Sequence, residues 1–277
     1  MNQLTKTIKG RDLVDKSRFM VPNLITLGSM GLGLASMFFA IRGVYETAGW
    51  LIMFSVIFDK FDGSSARLFR ATSEFGTQLD SFSDFVAFGI APSVLVYSVL
   101  SGIPAMGMES GDLAYFYVSL LWLVFATALR LARFNISNSG RCSFMFGLPS
   151  TVGGALVALF VLVGLKHYQD IPFFVQWLKV LPALLLIVGA LEVSTLKLPK
   201  VAKRRSILLN ILQVAGFITL LVLVLLRTMP EVLLLLGSSY LVIAFLYCMV
   251  RQEQVNAQIQ AECGEDVPAE MMEDNSL

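Results

Sequence analysis

The stretch that decides the fold runs from Ala48 to Leu100: AGWLIMFSVIFDKFDGSSARLFRATSEFGTQLDSFSDFVAFGIAPSVLVYSVL. A helix needs roughly 20 mostly apolar residues to cross a bilayer. Residues 48–70 and 79–100 each meet that length, with a polar turn at 71–78 between them. Four aspartates nevertheless interrupt the apolar runs: Asp59, Asp62, Asp80 and Asp84. Each costs roughly 3 kcal/mol at the centre of an inserted helix, and four together on the order of 10 kcal/mol, less toward the helix ends. Lys60 and Arg67 are the two basic neighbours in sequence, so something further must compensate the negative charge.

The spacing indicates what that is. At 100° per residue, Asp59 and Asp62 lie within about 60° of each other on a helix, and Asp80 and Asp84 within about 40°. Each pair projects from one face, and a turn at 71–78 makes the two helices antiparallel neighbours. The four carboxylates can then converge. Hard oxygen ligands in such a cluster suit Mg²⁺ or Mn²⁺, and four of them can hold two ions. Gly63 and Ala66 share the Asp59 face, and Gly76 precedes Asp80 by one turn. Small side chains there admit a phosphate-bearing ligand close to the backbone, or alternatively serve helix packing.

The rest of the chain agrees with a membrane fold. Of 277 residues, 56% are hydrophobic and only 15% charged, and the mean hydropathy is +0.73. Soluble domains carry about 25% charged residues, so a cytosolic enzyme and a disordered chain are excluded. The net charge of +1 provides no field for nucleic acid. Cys142, Cys248 and Cys263 have no metal-ligand spacing, and a single histidine, His167, excludes a histidine-based zinc site or a Ser/His triad.

The expectation is therefore an all-α, polytopic helical bundle with about eight transmembrane helices, near 20–42, 48–70, 79–100, 113–135, 146–166, 174–195, 206–227 and 229–250. Residues 1–18 form a basic cytoplasmic or interfacial arm, residues 19–250 one transmembrane domain, and residues 251–277 an acidic cytoplasmic tail. An N-in, C-in arrangement places sixteen Lys and Arg on the cytoplasmic side against four outside (Arg42, Lys166, Lys179 and Arg227), with Lys60 within the membrane. This predicts a multi-pass protein of the cell inner (cytoplasmic) membrane whose aspartates face the cytoplasm.

Residues 59–84 also match, at every specified position, the pattern D-x-x-D-G-x-x-A-R, eight residues, G-x-x-x-D-x-x-x-D. That pattern resembles the signature of the CDP-alcohol phosphotransferases. The resemblance implies a membrane-embedded helical bundle, a homodimer, that displaces CMP from a CDP-linked donor with divalent metals. It implies Asp59, Asp62 and Asp80 as metal ligands, and Asp84 as general base with a possible metal contact. Gly63, Ala66 and Gly76 would line the nucleotide and Arg67 would contact phosphate. The segment VPNLIT at 21–26 is similar to one preceding the signature in many members, which makes Asn23 and Thr26 nucleotide contacts. An ordinary helix start after Pro22 explains the same residues.

ALRLARFN at 128–135, followed by FGLPS at 146–150, is similar to the phosphatidylserine synthases of the bacterial and archaeal membrane type. LEVSTLKLPK at 191–200 resembles their LMVS-type segment, with Glu192 and Thr195 as departures. The implied reaction moves the phosphatidyl group of CDP-diacylglycerol to the hydroxyl of L-serine. Arg130 and Arg133, one turn apart, and Asn135 are then acceptor contacts, the arginines suiting phosphate or carboxylate oxygens. Two other readings remain. The acceptor is glycerol 3-phosphate, inositol or inositol phosphate, served by Lys197, Lys200, Lys203, Arg204 and Arg205, or the aspartates form an ion or proton relay.

Overall fold

A computed structural model describes residues 2–68, 73–103, 113–136, 144–167, 169, 171, 173–199, 216 and 218–250, with side chains from Met20 to Ser65 in the first two helices. Half of the expected span at 206–227 falls outside these residues, as do the tail at 251–277 and Lys200, Lys203, Arg204 and Arg205. So do the side chains of Lys197, Ala66 and Arg67.

The first helix, α1 (Asn2–Ile41), is continuous through the basic segment and through Pro22. Pro22 is therefore not a helix start. Its carbonyl accepts a bond from the Thr26 hydroxyl at 3.0 Å. Helix α1 ends at a tight turn where Gly43 has φ +79° and the Val44 N–H returns to the Phe39 carbonyl at 2.9 Å. A left-handed residue just past a helix end is a normal terminator, and glycine adopts it without penalty. The turn feeds α2 (Tyr45–Leu68), and serines join the two helices. The hydroxyls of Ser29 and Ser55 lie 2.7 Å apart, and Ser36 Oγ donates to the Ala48 carbonyl at 2.8 Å. Such bonds between membrane helices contribute about 0.6 kcal/mol each.

The next span is one rod in three parts: α3 (Glu74–Asp84), a π turn (Phe85–Ile90) and α4 (Ala91–Gly102). Ser73 caps it, accepting from the Gly76 N–H at 3.0 Å. The π turn is enclosed by small residues. A Cβ on Gly33 of α1 would come within 2.8 Å of Ala87 Cα, and one on Gly154 within 2.8 Å of Phe88 Cβ. Glycine permits these backbone approaches, as is common between membrane helices.

Helix α5 (Leu113–Ile136) is followed by a short strand, β1 (Phe144–Phe146), and then α6 (Ser150–His167). Helix α7 (Phe173–Lys179) and α8 (Leu181–Val193) are bent by 44° at the break between them, with Pro182 in the first turn of α8. Strand β2 (Lys197–Pro199) pairs antiparallel with β1, Phe144 opposite Pro199 and Phe146 opposite Lys197. A helical stretch at 218–225, α9, turns through Arg227 and Met229, both at positive φ, into α10 (Pro230–Val250). Glu231 at its start meets Lys166 Nζ and His167 Nε2 at the end of α6, both at 2.7 Å.

Several expectations are corrected. The fold is helical but carries this two-stranded ribbon. The span expected at 146–166 begins at Ser150, because Gly147 takes φ +73° and Pro149 follows. The span expected at 174–195 is a bent pair. Among the described residues, four helical segments are long and apolar enough to cross a membrane: Met20–Ile41, Glu74–Gly102, Leu113–Ile136 and Ser150–His167. They become five if the bent pair counts as one span. Helix α2 has the length, 24 residues, but carries Glu46, Asp59, Lys60 and Asp62. Trp50, Phe88, Phe116, Leu95, Leu123, Leu181 and Leu185 fill the interior, while Phe38, Val118, Phe125, Leu129, Ile187 and Leu235 point outward. Large apolar side chains on the outside suit lipid as the solvent, and the chain is a multi-pass membrane protein.

Candidate active site

Helix α1 packs against both carboxylate-bearing helices, α2 and α3, and this brings their acidic residues together. Carboxylate oxygens of Asp59, Asp62 and Asp80 all lie within 4.8 Å of one another. Asp62 is buried, and its Oδ2 has no hydrogen-bond partner among the described residues. A buried anionic oxygen without a donor is costly, and a bound cation removes that cost. Lys60 Nζ lies 3.4 Å from Asp59 Oδ2 but is largely exposed, so its effect is screened. The donor set is all oxygen, short and anionic, and fits a hard divalent cation.

Asp84 stands apart from this trio. It is the last residue of α3, next to the π turn, and its Oδ2 accepts a bond from Ser150 Oγ at 3.2 Å. Ser150 accepts in turn from Arg130 Nη1 at 2.9 Å. Asp84, Ser150 and Arg130 are all buried and join α3, α6 and α5 in one polar chain. Thr127, one turn before Arg130 on α5, forms a neighbouring buried pair with Glu192. The Thr127 hydroxyl donates to Glu192 Oε2 at 2.8 Å, and the opposite charges of Glu192 and Arg130 attract.

The other expected residues divide into three groups. Asn23 and Thr26 lie beside the carboxylates. The Thr26 side chain, whose hydroxyl donates to the Pro22 carbonyl, lies next to Asp62, and Ser83 Oγ donates to the Thr26 carbonyl at 3.0 Å. A Cβ on Gly76 would come within 3.1 Å of Ser73 Oγ and within 3.4 Å, a contact distance, of Asn23 Oδ1. Gly63 is half-buried, one turn after Asp59. Asn135 joins α5 to α3, donating to Ser81 Oγ at 3.0 Å and accepting from it at 3.1 Å.

Arg133 is placed differently from Arg130. Its guanidinium donates to the carbonyls of Val193 at 2.8 Å, Ser194 at 3.1 Å, Glu192 at 3.2 Å and Phe146 at 3.4 Å. These include the last carbonyls of α8, which no longer have helical partners, and a cation there also suits the helix dipole. The structure thus separates two arginines that sequence treats alike. Gly147 closes the same corner: a Cβ would come within 2.3 Å of the Glu192 carbonyl oxygen and 3.0 Å of Arg133 Nη2.

Ser150, Thr127 and the role of Glu192 were not legible as site chemistry. Ser150 ends the FGLPS segment, and Glu192 stands out in LEVSTLKLPK at 191–200 as a departure. Both signals mark positions and assign no contact.

The sequence model of the CDP-alcohol phosphatidyltransferase family matches residues 19–191. The chain is 34% identical over 238 residues to the CDP-diacylglycerol–serine O-phosphatidyltransferase of Helicobacter pylori (strain ATCC 700392 / 26695), covering 84% of this chain and 94% of that one. It is 34% identical over 140 residues to the Bacillus subtilis (strain 168) protein of the same name, covering 50% and 73%. With the archaetidylserine synthase of Methanothermobacter thermautotrophicus it shares 28% identity over 183 residues, 65% of this chain and 70% of that one.

Proposed function

Because the chain belongs to the CDP-alcohol phosphatidyltransferase family, we propose that it transfers the phosphatidyl group of CDP-diacylglycerol to the hydroxyl of L-serine, yielding phosphatidylserine and CMP. The observation that carries this reading is the convergence of Asp59, Asp62 and Asp80 inside the family signature. Two divalent ions, Mg²⁺ or Mn²⁺, held by Asp59, Asp62 and Asp80 with Asp84 adjacent, would supply charge neutralisation for the diphosphate and the departing CMP.

The residues of the chain do the rest. Asp84 takes the serine hydroxyl proton as that oxygen attacks the phosphorus bearing the diacylglycerol. The new P–O bond forms as the bond to the CMP oxygen breaks, and the electron pair leaves with CMP. Asn23, Thr26, Gly63, Ala66 and Gly76 line the nucleotide, and Arg67 contacts its phosphates. Arg130 holds Ser150 on Asp84 and is placed to face the acceptor carboxylate, whereas Arg133 fastens the end of α8. Asn135, on the same helix end, borders the acceptor's entry.

The arrangement in the membrane belongs to the same proposal: eight spans within residues 19–250, both termini cytoplasmic, a homodimer, and a site open to the cytoplasm of the inner membrane. Serine is available there, and a lipid headgroup can enter sideways while its chains stay in the bilayer. The test is purified protein with CDP-diacylglycerol, Mg²⁺ or Mn²⁺ and each acceptor in turn: serine, glycerol 3-phosphate, inositol and inositol phosphate. CMP release that depends on serine, with phosphatidylserine as product, is expected. Release with another acceptor alone would change the substrate, and none with any acceptor would favour an ion or proton relay.

A further inference from the structure

Glu192 is fully buried in the last turn of α8, an expensive place for a carboxylate. Its surroundings are specific. Oε2 accepts from the Thr127 hydroxyl at 2.8 Å. Oε1 has no hydrogen-bond partner among the described residues and lies over Gly153, where a Cβ would approach it to 2.5 Å. Glycine at 153 leaves the room that this carboxylate occupies. The same residue bears on both arginines of α5: its carbonyl accepts from Arg133 at 3.2 Å, and its carboxylate, bonded to Thr127 one turn before Arg130, attracts the Arg130 charge.

Arg130 is a buried cation attracted by two carboxylates, Asp84 and Glu192. Its Nη1 reaches Asp84 through Ser150, Glu192 also attracts its charge, and its Nε is buried with no hydrogen-bond partner among the described residues. Without Glu192, Asp84 would be the remaining strong anionic partner of Arg130. A guanidinium pairs readily with a carboxylate through two parallel bonds. Such a pair would displace Ser150 and occupy the oxygens of Asp84 that must face the acceptor.

We infer that Glu192 is a positioning residue: held by Thr127 and accommodated by Gly153, it keeps Arg130 on Ser150 and so keeps Asp84 directed at the acceptor hydroxyl. This rests on the reading of Asp84 as the base.

A kinetic double-mutant cycle in the full-length enzyme tests it, with CMP release as the readout. Glu192→Gln keeps the size of the side chain and can keep the Thr127 contact but removes the charge. It should lower kcat roughly tenfold with the KM for CDP-diacylglycerol within about twofold. In a Ser150→Ala background the same change should cost less than about twofold, because the connection it acts through is already broken. Thr127→Val, which loosens Glu192 without discharging it, should lower kcat about threefold and serves if Glu192→Gln is not recovered folded.

Wild-type kcat in Glu192→Gln and Thr127→Val, or effects that multiply fully with Ser150→Ala, would overturn the inference. Asp84→Asn separates the two levels. If it still turns over, the assignment of the base fails and the positioning role with it. If it is dead while the Glu192 and Ser150 effects multiply, only the positioning role fails.

Discussion

Ser150 donates its hydroxyl to Asp84 across 3.2 Å, from the first turn of α6 to the last residue of α3. The bond joins positions 66 residues apart and orients Asp84, the proposed base. Ser150→Ala removes it and leaves Arg130 Nη1 without its acceptor. A buried donor left unpaired costs about 1–3 kcal/mol, so kcat should fall roughly tenfold while the donor KM holds. Steady-state CMP release checks this.

Asp62 contributes a buried oxygen with no donor among the described residues. Asp62→Asn removes charge where a cation is expected to bind. The metal concentration for half-maximal activity should rise by at least about tenfold, and chelation should abolish wild-type turnover until Mg²⁺ or Mn²⁺ is restored. A metal titration of CMP release, beside direct Mn²⁺ binding to the purified protein, measures both. Unchanged Mn²⁺ affinity in Asp62→Asn would remove this residue from the ligand set.

Arg133 is committed to four carbonyls. Arg133→Met should therefore reduce stability, by about 1–3 kcal/mol, and leave the serine KM within about twofold. Thermal unfolding in detergent and serine titration distinguish this from an acceptor contact, which would raise the serine KM strongly.

Gly147 combines a left-handed φ of +73° with no room for a Cβ against the Glu192 carbonyl. Gly147→Ala carries a backbone penalty of about 1–3 kcal/mol plus the displacement of that carbonyl. A clear drop in thermal stability is expected, larger than for Gly31→Ala, where a Cβ meets nothing within 4 Å.

The pairing of Asp59 with Asp62 was legible because helical period is a local property: residues three or four apart share a face whatever lies beyond them, whereas the trio takes Asp80 from another helix and leaves Asp84 out. Hydrophobic length exposed the apolar segments in the same way. The ribbon of β1 and β2 was not legible, because Phe146 and Lys197 pair across 51 positions and neither triplet looks like a strand. Pro22 reads as a helix start, yet α1 runs through it. The break before Leu181 was hidden by an apolar run that continues across it. Arg130 and Arg133 share a motif and a helix, and only their neighbours, Ser150 for one and the end of α8 for the other, give them different work.

The π turn at Phe85–Ile90 has a consequence for insertions and deletions in this rod. It accommodates one residue more than a regular turn would, which offsets the angular phase of everything after it by about 100°. Asp80 and Asp84 are read in one phase and the buried stripe of Leu95, Val96 and Val99 in another. Deleting one residue between 85 and 90 would close the widened turn into a uniform helix and leave that stripe facing inward, whereas inserting a further residue would swing the stripe toward lipid unless a second widened turn absorbed it.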